Sequence, residues 1–201
     1  MTARLLETAT GTVLRFDKRV RMAVLPRRDS APVKAIDWVS KIGDQAQMRL
    51  VAGGVMLAGV VRRDAKLFGA GLRMLAAHEL ATATKTWVKD RVVRTRPRNP
   101  AKHGAHKPHK GHDTRKEKSS FPSGHAAGAA ALTSAFASVY PEHAMAARTA
   151  AGAVALGRIP ACKHYPSDVV AGTAIGIASA AVVGGVWALA ARLVRGQTAS
   201  A

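Results

Sequence analysis

Phe121-Pro122-Ser123-Gly124-His125 separates two stretches of opposite character: a polar run from Arg98 to Ser120 before it, and a small-residue apolar run from Ala126 to Tyr140 after it. The switch reads as the start of a helix. Proline is tolerated in a first turn, and a serine side chain can satisfy the unpaired N–H groups there. A helix start combines those donors with the positive end of the helix dipole, so it suits an anion. Gly124 lets a ligand approach the backbone closely. His125 would stand beside that anion as a proton donor. An ordinary capped helix with a surface histidine explains the pentapeptide about as well, so the flanking sequence has to decide.

Downstream, Ala144 to Gly157 is a second apolar run, joined to the first by Pro141-Glu142-His143. The pair predicts a helical hairpin whose alanines and glycines allow close packing, as in membranes. Val169 to Ala191 carries no charge, and Arg192 and Arg195 follow it. It exceeds the roughly 20 residues that a bilayer crossing needs. Upstream, Leu50 to Val61 is apolar but short for a span. Ala65 to Val88 is helix-compatible and carries Lys66, Arg73, His78 and Glu79, which neighbours must shield if it enters a membrane. No alternating strand pattern persists. The expected fold is all-α, a membrane helical bundle of about five to six helices with the active site at one end.

Around this bundle the composition divides the chain. Residues 1–48 form a basic amphipathic N-terminal region, 49–195 the helical domain, 98–120 a basic flexible insert, and 196–201 a tail. Arg15, Lys18, Arg19 and Arg21 lie among Val13, Leu14, Phe16, Val20, Met22 and Val24. That pattern fits an interfacial helix on anionic lipid, or a solvated helix packed on the rest. No apolar core of leader length follows Met1, so no cleavable signal is expected. In the insert, His103, His106, His109 and His112 recur every third residue, which reads as a solvated basic flap rather than a metal site.

The 201 residues hold 31 Lys and Arg against 12 Asp and Glu, a net charge of +19. That surplus calls for an anionic partner: nucleic acid, an acidic membrane surface or a phosphorylated substrate. Aromatics make up 4% of the chain, which argues against base stacking, so no specific nucleic-acid partner is expected. Cys162 is the single cysteine, so neither an intrachain disulfide nor an all-cysteine metal site can form.

Two further constellations accompany the pentapeptide. Lys89 and Arg96 are seven residues apart, two helical turns, so a helix continuing to Pro97 would place both cations on one face. Arginine forks onto two phosphate oxygens and lysine adds a point charge. Arg158, His164 and Asp168 form the other. His164 and Asp168 are four apart, which on a helix beginning at Pro166 sets carboxylate against imidazole.

In order and internal spacing, Lys89…Arg96-Pro97, Pro122-Ser123-Gly124-His125 and Gly157-Arg158…His164…Asp168 resemble the signature of the type 2 phosphatidic acid phosphatase superfamily. That superfamily also includes vanadium haloperoxidases and bacterial acid phosphatases. One position departs from the pattern: Gly157 stands where a serine is usual, which removes a hydroxyl from beside the arginine. The resemblance implies a membrane lipid phosphatase. His164 would attack phosphorus to form a phosphohistidine, Asp168 would orient His164, and His125 would protonate the leaving oxygen. Lys89, Arg96, Arg158 and the backbone N–H groups at Ser123 and Gly124 would hold the phosphoryl oxygens. No cofactor and no metal is implied. The implied substrate is an anionic lipid phosphate: a polyprenyl diphosphate, phosphatidate or phosphatidylglycerol phosphate. The implied setting is a multi-pass cell-membrane protein, with the face of the site and the oligomeric state open. The rival expectations are halide oxidation on the same scaffold and a non-catalytic basic membrane or nucleic-acid binder. Charge alone does not explain three correctly spaced motifs.

Overall fold

The computed structural model describes residues 2–99, 106–113 and 115–198. They form seven α-helices: α1 (Thr2–Val24), α2 (Ala31–Val39), α3 (Gln45–Arg62), α4 (Ala65–Lys89), α5 (Gly124–Val139), α6 (Ala144–Leu156) and α7 (Pro166–Thr198). Two short strands, β1 (Val92–Val93) and β2 (His109–Lys110), pair antiparallel with Val92 opposite Lys110. The expected all-α bundle is therefore present, with α3 to α7 as its body and the site at one end. The start of α3 at Gln45 puts the boundary expected after residue 48 inside that helix.

Helix α5 is the hub, packing against α4, α6 and α7, while α3 lies on α4. Its interior side chains are small: Ala126, Ala127, Ala129, Ala131 and Ala135 are all buried. Ala52, Ala70, Ala77 and Ala81 do the same for α3 and α4. The large apolar side chains point outward instead, among them Leu50, Leu57, Val61, Met145, Val170, Val186 and Leu189. A small-residue interior under a bulky apolar exterior is the inverse of a water-soluble core, and suits helices that pack by backbone approach in lipid. Among the described residues, one helix stretch, Pro166–Arg195, is long and apolar enough to cross a membrane by itself.

The expected shielding of the charged residues of α4 is only partial: His78 is buried with neither ring nitrogen hydrogen-bonded among the described residues, while Lys66 and the Arg49–Glu79 pair stay exposed. Glu79 accepts both arms of Arg49 at 2.6 and 2.9 Å. The Arg73 guanidinium lies 4.5 Å from the Trp187 ring centre, and Lys66 lies 4.4 Å from that of Tyr140.

The α5–α7 contact decides where the ends of these helices fall. A Cβ on Gly172 would run into the Ser123 carbonyl oxygen. One on Gly176 would run into that of Ala127 and lie 2.7 Å from Ala131 N. These neighbours are backbone and cannot turn aside. Gly176→Ala is expected to wedge the helices apart, at about 1–3 kcal/mol. It should lower the melting temperature and reduce activity, because α7 carries Asp168. An unchanged melting temperature would show that the helices tolerate the extra methyl.

One sequence expectation fails. Lys89 and Arg96 do not share a helical face, because α4 ends at Lys89 and the chain turns into β1. Pairing with the insert takes over: Arg94 N donates to Lys118 O and Arg96 N to Glu117 O. The two cations meet across that turn rather than along a helix.

Candidate active site

Ser123 is buried and caps α5, its Oγ accepting from Ala126 N at 3.4 Å. Its own N–H donates to the Asp168 carbonyl, which ties the head of α5 to the head of α7. Gly124 and His125 then face a cavity of about 760 Å³. Lys89, Arg96, Arg158 and His164 line the same cavity. Six of the eight residues expected at the site thus share one space, and Ser123 and Asp168 stand behind it. The cavity also takes in Lys41, Lys85 and Lys163, and both ends of the insert reach it through Arg98, Asn99 and Glu117.

The cations are held in place with capacity to spare. Lys89 Nζ donates to Ser119 O at 2.8 Å and lies 3.2 Å from Ser119 Oγ. Arg158 Nη1 reaches Asp37 Oδ1 and Ser40 Oγ, both at 2.9 Å. Arg96 Nε and Arg158 Nε are buried donors without a hydrogen-bond partner among the described residues. Such orphans are costly unless something fills them, and an anion in the cavity would. Burial lowers the pKa of both arginines from the usual range; Arg158 and Arg98 add to that at Arg96, whereas Asp37 and Asp44 oppose it at Arg158.

His164 is buried between motifs. Its Nδ1 lies 2.7 Å from the Ser120 carbonyl oxygen. A carbonyl only accepts, so Nδ1 carries the proton and Nε2 keeps its lone pair. The Asp168 carboxylate, the expected partner, is 3.8 Å from Nδ1 and does not make that bond. Asp168 Oδ2 instead accepts from Ser120 Oγ at 2.6 Å and from Tyr165 N at 2.8 Å. Burial holds the His164 pKa down to about 4, with Asp168 pulling the other way. The ring is therefore neutral near pH 7. His125 is held down to about 3, first by burial and then by Arg158 and His164. Its Nε2 lies 3.0 Å from Asp44 Oδ1. A phosphate dianion in the cavity would offset those cations and raise this pKa towards that of a proton donor.

The residues missed by sequence reading come mostly from the N-terminal region. Asp37 pairs with Lys163 as well as Arg158. Arg21 Nε donates to Pro97 O, and Arg28 Nη1 to Arg98 O, both at 2.9 Å. Val20, Arg21 and Val24 of α1 wall the far side of His164 with Pro97, Ile159 and Pro166. The available signal was scarcity: in a chain of +19, each of 12 carboxylates is conspicuous. Asp17, Asp37, Asp44, Glu117 and Asp168 all gather here.

The histidine repeat disperses. His106 Nδ1 lies 2.5 Å from Tyr165 Oη, His109 sits in β2, and His112 Nδ1 is 3.2 Å from Asp90 O. His103 and Lys102 lie outside the described residues.

Gly157 finds its reason in α2 and the turn after it. A Cβ there would lie 3.1 Å from Ile36 Cγ2 and 3.3 Å from Ser40 Cβ. Ser40 occupies that space, and its hydroxyl is the one that Arg158 contacts.

The family model for the PAP2 superfamily matches residues 70–191, and the chain belongs to that superfamily. Over 57 residues, 28% of the chain, it is 42% identical to a lipid A 1-phosphatase of Rhizobium etli and to one of Rhizobium johnstonii. It spans about a quarter of the length of these curated relatives, 25% and 23%. Its fold is similar to that of a transmembrane PAP2-type phosphatidylglycerolphosphate phosphatase from Bacillus subtilis, with a TM-score of 0.58 and 19% identity. That similarity covers 87% of this chain and 86% of the other. It is also similar to Aquifex aeolicus LpxE, with a TM-score of 0.54 and 18% identity over 82% and 92% of the two chains.

Proposed function

We propose that the protein is a multi-pass membrane enzyme that hydrolyses a lipid phosphomonoester or diphosphate through a phosphohistidine. The observation that carries this reading is the shared cavity: His164, His125 and the Lys89, Arg96 and Arg158 cations open onto one space. His164 Nε2 attacks phosphorus, the P–O bond to the lipid breaks, and His125 gives its proton to the departing oxygen. Water then attacks phosphorus, returns a proton to His125 and breaks the P–N bond. Lys89, Arg96, Arg158 and the N–H groups at the head of α5 stabilise the equatorial oxygens throughout. These cations supply the electrostatic work, so turnover should need no metal. The outward apolar side chains support a site at the water–lipid boundary, where a substrate's tail can stay in the bilayer.

The test is phosphate release by the purified full chain in proteoliposomes containing excess chelator. The panel holds phosphatidate, phosphatidylglycerol phosphate, a polyprenyl diphosphate and, given the two Rhizobium relatives, lipid A 1-phosphate. Water-soluble esters serve as controls. Hydrolysis of at least one lipid at a chelator-insensitive rate is expected. Hydrolysis of none, or loss of the rate with chelator, would overturn the corresponding part of the reading.

A further inference from the structure

The proposed chemistry leaves one buried acid without a task. Asp17, on α1, is 1% exposed, in a helix whose Val13, Phe16 and Met22 are exposed. We infer that Asp17 is a positioning residue for the nucleophile, acting through Arg94 on Asp168; this rests on the phosphatase reading above.

The connection is continuous and buried. Arg94 Nη2 donates to Asp17 Oδ2 at 2.7 Å, and Nη1 to Asp168 Oδ1 at 2.5 Å. The same Nη1 donates to Ser167 Oγ at 2.8 Å, and Nε to His106 O at 2.9 Å. The guanidinium lies 3.9 Å from the Tyr165 ring centre, so its plane is fixed as well as its edges. Asp17 also grips the head of α7: Oδ1 accepts from Ser167 N at 3.1 Å and Oδ2 from Ser167 Oγ at 2.5 Å.

Two consequences follow from having two carboxylates on one guanidinium. Asp168 gives Arg94 only one oxygen and keeps Oδ2 for Ser120, Tyr165 and the His164 side. The buried cluster also keeps one net negative charge. When His164 attacks, its ring becomes a phosphorylated imidazolium with Lys89, Arg96 and Arg158 around the same cavity. The surplus negative charge behind the ring then opposes that cationic surround. Without the Asp17 charge, Arg94 and Asp168 cancel and nothing is left for the imidazolium.

Asp17→Asn keeps the shape and removes the charge. Against the preferred lipid phosphate, kcat should fall roughly tenfold or more, as for lost electrostatic support one residue removed from the reacting atoms. KM and inhibition by orthophosphate should stay near wild type, since the cavity wall is untouched. The acid limb of kcat/KM, which reports neutral His164, should move to lower pH, because a negative charge near the ring is lost. The other charged or titratable groups facing the ring are unchanged: Arg21 from α1, Asp168 from α7, Tyr165 just before it, Arg94 and Arg96 from the segment after α4, Lys89 from α4, His125 from α5 and Arg158 from after α6. Asp17→Glu keeps the charge while disturbing the packing, so its acid limb should stay at the wild-type pH whatever its kcat. That arm decides alone if Asp17→Asn does not fold. A kcat for Asp17→Asn within twofold of wild type, equal losses in kcat and orthophosphate affinity, or an acid limb displaced in Asp17→Glu would each overturn the inference. An active wild type then leaves the phosphatase reading standing; a wild type inactive on every lipid overturns both.

Discussion

His164→Ala is expected to abolish phosphate release, by a factor on the order of 10⁴ or more, as when the nucleophile of a covalent mechanism is removed. The effect should fall on chemistry rather than on fold. Among the described residues, His164 makes one ring hydrogen bond, to the Ser120 carbonyl. Its loss opens space against Val20, Pro97 and Pro166 at about 1–3 kcal/mol. Orthophosphate should therefore still bind, because Lys89, Arg96 and Arg158 remain. Brief mixing of wild type with labelled substrate, followed by alkaline quench, should trap phosphoprotein that acid releases, and the variant should trap none. The same quench gives the sign of the pH dependence. With a pKa near 4, His164 is protonated and inert only in acid, so trapping should fail as pH drops through that region and hold above it. A variant that turns over at a sizeable fraction of the wild-type rate would remove His164 from the nucleophile's role.

The second large effect is structural. Arg94→Leu should remove 3–5 kcal/mol of stability, roughly the loss seen when one partner of a buried ion pair is deleted. Asp17 and Asp168 are 1% and 0% exposed, and each would be left in the interior without its countercharge. For a chain of this size that corresponds to a melting temperature lower by roughly 6–20 °C. The cause can be isolated by combining changes. Arg94→Leu with Asp17→Asn leaves one stranded carboxylate instead of two and should be more stable than Arg94→Leu alone. Arg94→Lys should fall between, keeping the charge but losing the fork that spans both acids. Equal melting temperatures for wild type and Arg94→Leu would mean that the cluster carries no net stability.

These two residues differ in how far sequence could reach them. His164, His125, Arg96 and the long α7 were legible because their cues are local: fixed spacings, a proline-serine helix start, an uncharged run. Arg94 sits two residues from Arg96 and reads locally as one more juxtamembrane cation. Its partner Asp17 is 77 positions away on a helix whose exposed pattern is basic and amphipathic. Pairing over that distance leaves no period in the chain. The Lys89–Arg96 face was misplaced for a related reason. The helix stops at Lys89 because β1 finds a partner in β2, and that partner lies beyond a polar insert with no strand pattern. The N-terminal region was legible as amphipathic but not as a wall of the site, since its contacts with Pro97, Arg98 and Arg158 are all made across the fold.

Ser40 gives the departure at Gly157 a wider meaning. A hydroxyl still stands beside Arg158, supplied not by the residue before the arginine but by Ser40, 118 positions upstream. Ile36 and Ser40 crowd the space at Gly157, so the departure is not a simple deletion. A pattern search demanding serine at 157 would discard this chain, whereas a template of atoms around the guanidinium would keep it. Kinship within the superfamily is then better measured by which groups surround the cavity than by the order in which the polypeptide delivers them.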